Sequence, residues 1–129
     1  MTDLADFAAL VPADHGLAVV SVLRPDSTIS SSVVNAGVLR HPVTGEQVVA
    51  FVSRGDARRL SYLRAAPRVT VVLRGGWQWA AAEGLRLLLR AVFTAAGGTH
   101  DDWDTYDAVM ANERRTAVLM TPERVYSNA

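Results

Sequence analysis

A cluster of arginines in the middle of the chain is the feature best able to do chemistry. Residues 53–72 read as a strand end, a tight turn, a short helix, a proline and another strand. The arginines in this segment are Arg54, Arg58, Arg59, Arg64 and Arg68. A turn of this kind gathers guanidinium groups and free helix N–H groups at one place, which is how proteins hold a phosphate. The pattern therefore indicates an anion site at the start of the helix.

The same arginines also have a simpler interpretation. A solvated helix start with surface salt bridges has a similar composition, because most surface charges are only solvated. Asp56 lies in the same turn and argues against anion binding. Arg64 and Arg68 lie farther from the helix start, so we expect them to have structural roles. From the residues alone, the phosphate site and the solvated surface remain alternatives.

The composition narrows the classes of function. The chain has 129 residues, half of them hydrophobic, which suits one domain with a real core. Its 13 basic residues, all arginine, balance 13 acidic residues, whereas a nucleic-acid-binding module would have a basic excess. There is no cysteine for disulfides or thiolate metal sites, and no lysine for a Schiff base.

Neither a membrane span nor a secretory signal is evident. No apolar run approaches the roughly 20 residues of a membrane-spanning helix. The first residues carry acids rather than the basic n-region of a secretory signal. We therefore expect a cytoplasmic protein with no membrane and no nucleic-acid partner.

Other catalytic groups are poorly placed. His100, Asp101 and Asp102 are adjacent and would point in different directions, while His15 and His41 are isolated in loops, so we expect no metal site. The chain has neither a Gly-x-Ser-x-Gly hydrolase motif nor a glycine-rich dinucleotide fingerprint. No residue demands the role of general acid, so the catalytic residues stay unassigned.

The elements that must position the arginines are mostly strands. Apolar runs between turn signals predict strands over 17–23, 29–39, 47–53, 68–73, 77–83 and 116–126, the last interrupted by Pro122. Helices are predicted over 3–10, from a cap at Asp56 to Pro67, over 85–96 and from Thr99 to about residue 112. Sequential, hairpin-linked strands of this kind predict a small barrel whose outer face also packs against helices or a second subunit.

The sequence makes a specific prediction for each end of the fifth strand. Gly75-Gly76 predicts a two-residue hairpin before this strand. After it, Gly84 alone connects the strand to the next predicted helix, although such a reversal usually takes about 2–6 residues. We interpret this junction as a deletion or as the place of a missing loop.

Strand alternation sorts the polar and aromatic candidates. Side chains alternate between faces, so Ser30 and Ser32 can share one face while Asn35 lies on the other unless a bulge intervenes. Trp77 and Trp79 share a face of the predicted fifth strand. They either pack at a subunit seam or edge a pocket beside a flat ring.

Four segments of the sequence together resemble a known family. In chain order they are LAVVSVLRPDSTISSSVVNAGVL, ARRLSYLRAAPRVTVVL, GWQWAAAEG and HDDWDTYDAVMANERRTAVLMTPERVY. The chain resembles the split β-barrel flavin and deazaflavin proteins, the pyridoxamine 5′-phosphate oxidase-like superfamily. More narrowly, it resembles the actinobacterial branch that depends on coenzyme F420. The resemblance implies a homodimer of mainly β, six-stranded split barrels (the FMN-binding split barrel) with flanking helices and two cofactor sites at the subunit interface.

The resemblance also assigns roles to residues. In the family, a basic residue early in the helix after the third strand, often Lys, holds the cofactor phosphate. That position here is Arg59, with Arg58 beside it, and Arg is not a neutral replacement for Lys. The other cofactor-binding positions that the resemblance implies are Ser30, Ser32, Asn35, Ser53 and Arg54. Trp77 and Trp79 are the substrate-pocket candidates because they share a face of the predicted fifth strand, not because of the resemblance.

The function implied by the resemblance is an F420-dependent oxidoreductase that transfers a hydride to a small electron-poor organic substrate. One alternative is an FMN-binding oxidase or reductase of the same superfamily. The other is a cofactor-binding protein without turnover, because no catalytic acid is evident.

Overall fold

Six strands and two α-helices form the part of the chain that the computed structural model describes, residues 2–41, 44–54, 57–86 and 115–129. The helices are α1 (Leu4–Ala9) and α2 (Arg58–Ala65), and a short 3-10 helix covers Val11–Asp14. The strands are β1 (Leu17–Leu23), β2 (Ile29–Arg40), β3 (Gln47–Arg54), β4 (Arg68–Gly75), β5 (Gln78–Arg86) and β6 (Arg115–Ser127). The six predicted strands and the helix after the third are confirmed.

The strands close into a barrel. Their order around it is β1-β2-β3-β6-β5-β4, and every neighbouring pair is antiparallel. Alternate residues of each strand point inward, so Val20, Phe51, Val71 and Val118 are buried in one core. The predicted mainly β barrel with flanking helices is therefore confirmed as a fold.

Helix α2 positions the arginines at one end of this barrel. It begins at Arg58 without a side-chain cap, and the predicted cap, Asp56, lies outside the described residues. Leu60 and Leu63 are buried in the core, and the helix ends before Pro67, as predicted. Because α2 joins the end of β3 to the start of β4, it lies at the barrel end where those two termini meet.

Helix α1 is held at its start by a reciprocal cap. The Asp3 carboxylate accepts the Asp6 backbone N–H at 2.9 Å, and the Asp6 carboxylate accepts the Asp3 backbone N–H at 2.9 Å. Such a capping box satisfies donors that the first turn leaves open. One residue further on, Phe7 is fully buried in the barrel core, so the cap fixes the helix where its aromatic ring packs.

The β4–β5 hairpin differs from the prediction. Strand β4 extends through Gly75, which pairs with Gln78, so the turn residues are Gly76 and Trp77. Gly76 has a φ of 62°, a conformation that glycine adopts without steric cost. The prediction of Gly75-Gly76 as the turn is wrong by one residue, and Trp77 lies in the turn rather than in the strand.

The predicted junction at Gly84 is also wrong. Strand β5 continues through Leu85 and Arg86, so no helix begins at Leu85; the other positions of the last two predicted helices lie outside the described residues. Gly84 instead sits at a register shift opposite Pro122, where a Cβ would collide with the carbonyl oxygen of Thr121. This irregularity lets β6 pass Pro122 without interruption.

The helices of the described residues are short. None of them is long and apolar enough to cross a membrane. Within the same residues, no group of three or more His, Asp or Glu side chains could hold a metal ion. His100, Asp101 and Asp102, weighed above as ligands, lie outside that part of the chain.

Candidate functional site

The candidate site forms where α2 meets the first residues of β2 and the last residues of β3. Ser32 shares the inward parity of Val34 and Ala36 on β2, and Ser53 follows Phe51 inward on β3. Arg59 is the second residue of α2 and reaches back toward both serines. The fold therefore brings three polar residues from separate elements to one place.

Arg59 joins the two serines through its guanidinium. Its Nε donates to the Ser32 Oγ at 3.0 Å, and its Nη1 donates to the Ser53 Oγ at 2.6 Å. Ser53 is almost completely buried, with 3% of its surface exposed, and Ser32 is half-buried. We call Arg59, Ser32 and Ser53 the Arg59 cluster.

The Arg59 guanidinium is a half-buried cation. Burial lowers the pKa of Arg59 from its ordinary value, because removing a cation from water disfavours its charged form. An arginine nevertheless keeps its charge in proteins. No carboxylate in the described part of the chain forms an ion pair with it. The cluster thus presents a positive charge, with N–H donors beyond the two hydrogen bonds it makes.

Other arginines in the described part of the chain form ion pairs with carboxylates or are exposed to solvent. Arg68 pairs with Glu123 at 3.2 Å, and Arg124 lies 3.9 Å from Glu83. Arg64 is exposed in the last turn of α2, where a cation interacts favourably with the helix dipole. The structural role expected for Arg68 is consistent with its ion pair to β6.

The predicted neighbours of Arg59 are only partly brought together. Ser30 lies two residues before Ser32 on the same face of β2 and is half-buried. Arg58 is exposed at the first position of α2. Arg54 closes β3, so its backbone lies beside the cluster.

Asn35 is not brought to the cluster. It pairs with Leu17 on the outward face and is exposed, and its side chain donates to the His15 carbonyl oxygen at 3.0 Å. The β1–β2 register is continuous from Ile29 to Asn35, so no bulge turns it inward. The separation of Asn35 from Ser30 and Ser32 follows the expected alternation of faces.

Trp77 and Trp79 lie at the other end of the barrel. Trp77 is in the β4–β5 turn with 95% of its surface exposed. Trp79, at the start of β5, packs edge-on against Tyr126 with ring centroids 6.1 Å apart. The Arg59 cluster lies near the end of β3 and the start of α2. These tryptophans and Arg59 therefore do not share a site within one chain.

A groove on the outer face was not anticipated from the sequence. It has a volume of about 270 Å³ and crosses β1, β4 and β5, where Ser21, Thr70 and Glu83 lie side by side. Leu23 and Ile29 form its apolar end. The sequence pattern places Ser21, Thr70 and Glu83 at outward positions of their strands. Only the strand register shows that the three residues are adjacent.

Solved structures share this barrel. A putative pyridoxamine 5′-phosphate oxidase from Listeria innocua is 12% identical with a TM-score of 0.59, covering 98% of this chain and 98% of that one. A pyridoxamine 5′-phosphate oxidase-related, FMN-binding protein from Nostoc punctiforme is 8% identical with a TM-score of 0.62, covering 95% and 82%. An F420 reductase is 12% identical with a TM-score of 0.55, covering 85% and 88%.

These likenesses establish the fold. At such low identities a shared barrel does not by itself assign an activity, because one fold hosts many functions. No protein-family model and no curated protein matches the sequence. The chain thus has the split-barrel fold of pyridoxamine 5′-phosphate oxidase-like proteins, and its function must be argued from the Arg59 cluster.

Proposed function

We propose that this chain binds coenzyme F420 and acts as a cytoplasmic, homodimeric oxidoreductase that transfers a hydride to a small electron-poor organic substrate. In this proposal the Arg59 cluster holds the phosphate of the cofactor. One observation carries it: a half-buried guanidinium, fixed by two serine hydroxyls, has no carboxylate partner among the described residues.

A phosphate fits the Arg59 cluster on chemical grounds. Burying a cation without a counterion costs free energy, and a bound anion offsets that cost. The planar guanidinium can donate to two phosphate oxygens at once. The Ser32 hydroxyl accepts from Nε, and its own proton can still be donated to a phosphate oxygen.

The chain's residues bind and orient, while the cofactor supplies the reactive group. When bound, a deazaflavin provides the hydride that the substrate receives. Arg59, with Ser32 and Ser53, would anchor the phosphate, and Ser30, Arg54 and Arg58, the neighbouring predicted positions, would contact the adjoining tail. No residue is assigned as a general acid.

In this proposal, the predicted site residues that lie away from the Arg59 cluster could contact the cofactor only in a second chain. Asn35 lies on the opposite face of β2 from Ser32, and the two tryptophans, Trp77 and Trp79, lie at the opposite end of the barrel from Arg59. None of the three therefore lies beside Arg59 of its own chain. As cofactor-binding or substrate-pocket residues they would act on a cofactor held by the partner subunit.

FMN is the alternative cofactor. It also ends in a phosphate, so the Arg59 cluster suits it equally well, and one structural neighbour is an FMN-binding protein. The preference for F420 depends on the four sequence segments and on the likeness to an F420 reductase. A cofactor-binding protein without turnover remains the second alternative, because no residue is assigned as a catalytic acid.

Calorimetric titration of the apo protein with F420 and with FMN tests the proposal. We expect F420 to bind more tightly than FMN. Tight FMN binding without F420 binding would overturn the assignment of the cofactor. Consumption of reduced F420 with quinones, enones or nitroaromatics would support an enzyme, whereas tight binding without consumption would support the non-catalytic alternative.

A further inference from the structure

The β4–β5 turn presents an indole ring to solvent on a fixed backbone. Trp77 lies in this turn with 95% of its surface exposed, although a large aromatic side chain gains free energy from burial. Asn128, just beyond β6, holds the turn through its side chain. Its Nδ2 donates to the Trp77 carbonyl oxygen at 2.7 Å, and its Oδ1 accepts the Trp79 backbone N–H at 3.0 Å. The exposed indole is thus carried by a turn that a second element fixes.

An arginine lies beside the same turn. Arg74 is directly opposite Trp79 in the β4–β5 register, so their side chains share the outer face. Its Nη1 donates to the carbonyl oxygen of Gly76 at 3.4 Å, which brings the guanidinium to the residue before Trp77. Arg74 forms no ion pair with a carboxylate in the described part of the chain. Its other N–H donors can therefore bind a ligand.

Trp79 adds a second ring, which is held in place. It packs edge-on against Tyr126 with ring centroids 6.1 Å apart. On the other side of Arg74, β1 presents Leu17, which is 42% exposed. The cation thus lies among apolar and aromatic side chains on the outer face. We call Arg74, Trp77 and Trp79 the Arg74 patch.

The chemistry of the Arg74 patch specifies one class of ligand. The electron-rich face of an indole stacks favourably on a flat, electron-poor ring. A guanidinium can donate to both oxygens of a carboxylate at once. A nucleic acid would need several cations, and this patch has one. A flat aromatic ring that carries a carboxylate would use both the indoles and the cation.

We infer that the Arg74 patch is a binding site for a planar aromatic carboxylate, and that Arg74 selects its negative charge. The inference deepens the proposed function and rests on it for the role of the ligand as substrate. In that function, Trp77 and Trp79 border the substrate pocket at a cofactor held by the partner subunit. Arg74 then restricts the electron-poor substrates to those that carry an anionic group.

Calorimetric titration of the apo protein with 4-nitrobenzoate and with 4-nitrobenzamide tests the inference without a cofactor. The two probes share a flat, electron-poor ring and differ in charge. We expect the wild-type chain to bind the carboxylate about fivefold more tightly than the amide, the scale of an exposed ion pair. Arg74→Gln should abolish this preference. Trp77→Ala should weaken the binding of both probes by about the same factor, because it removes a ring that both use.

Arg40→Gln is the matched control. Arg40 is exposed at the end of β2, and its Nη1 donates to the carbonyl oxygen of Gly45 in the turn that follows, at 2.7 Å. The substitution removes the same charge and the same type of turn contact as Arg74→Gln. It should leave the preference for the carboxylate at its wild-type value. Equal losses in the two variants would reveal an effect of net charge and would overturn the site.

The outcomes separate this inference from the proposed function. Equal affinities of the wild type for the two probes, or an undiminished preference in Arg74→Gln, would overturn the Arg74 patch and leave F420 binding unaffected. Unchanged binding of both probes by Trp77→Ala would overturn it as well. A chain that prefers the carboxylate but does not bind F420 would contradict the proposed function and keep the patch as a binding site.

Discussion

The Nη1 of Arg59 donates to the Oγ of Ser53 at 2.6 Å, which ties the second residue of α2 to the end of β3. The Nε of the same side chain donates to Ser32 on β2. A long, flexible cation is thus held in one orientation before any ligand arrives. Because ordering such a side chain costs free energy on binding, a preorganised guanidinium favours affinity for an anion.

Replacing Ser53 by alanine should weaken this arrangement. Ser53→Ala removes the acceptor of the Nη1 hydrogen bond, and we expect the free energy of unfolding to fall by about 1 kcal/mol. Urea denaturation measures the change. Ser61→Ala is the control, because Ser61 is exposed on the same helix and should change stability by less than about 0.5 kcal/mol. Equal stabilities of the two variants would show that the contact contributes nothing.

Charge and geometry at Arg59 can be separated by a conservative change. Arg59→Lys keeps the positive charge but loses the planar fork that bonds both serines. We expect its F420 affinity to lie between those of the wild type and Arg59→Ala, as measured by calorimetry. An affinity equal to that of Arg59→Ala would mean that the fork geometry, rather than the charge, holds the ligand.

Gly84 should tolerate no side chain. A Cβ there would collide with the carbonyl oxygen of Thr121, so Gly84→Ala should lower the free energy of unfolding by about 3 kcal/mol or prevent folding. Gly37→Ala provides the comparison, because no atom lies within 4 Å of the position of its Cβ. A Gly84→Ala protein as stable as Gly37→Ala would contradict the register shift at Glu83 and Gly84.

The cap of α1 should depend on pH. Hydrogen bonding, first of all from the Asp6 backbone N–H, lowers the pKa of Asp3 below its ordinary value. A carboxyl with a depressed pKa in the folded state stabilises the fold above its unfolded pKa of about 3.9, and this contribution disappears as the pH falls through the folded pKa. Asp3→Ala should therefore lower the melting temperature at pH 7 but differ little from the wild type well below the folded pKa.

A matched variant checks the origin of that pH dependence. Glu46 is exposed, with no side-chain hydrogen bond or ion pair to the described residues. We expect Glu46→Ala to change the melting temperature little at either pH. A wild-type advantage over Asp3→Ala that stays constant from pH 7 to below the folded pKa would rule out the cap as its source.

The sequence predicted all six strands because their apolar runs are bounded by strong turn signals. Residues 17–23 match β1 from end to end, since Gly16 and Arg24-Pro25 limit the run on both sides. The prediction of a strand-to-helix junction at Gly84 is wrong because a glycine within a strand cannot be distinguished from a connecting residue before its pairing partner is known. The close approach of the Thr121 carbonyl, a long-range contact, decides that position.

The sequence predicted which residues form the candidate site but not the hydrogen bonds among them. Arg59 and both serines were named from the resemblance, yet the hydrogen bonds among them depend on how α2 folds back over the barrel end. Alternation alone separated Asn35 from Ser32, and the register confirms that separation. The outer groove at Ser21, Thr70 and Glu83 could not be predicted, because it joins three strands that are distant in sequence.

The most direct test of the central claim is the affinity of Arg59→Ala for F420 compared with its affinity for the same deazaflavin lacking the phosphate. We expect calorimetry to show F420 binding weakened by about 1.5–3 kcal/mol, roughly 10- to 150-fold, and phosphate-free deazaflavin binding unchanged. Arg64→Ala, on the same helix, should bind both like the wild type. Unchanged F420 binding by Arg59→Ala, or an equal loss for both ligands, would contradict the assignment of Arg59 to the phosphate.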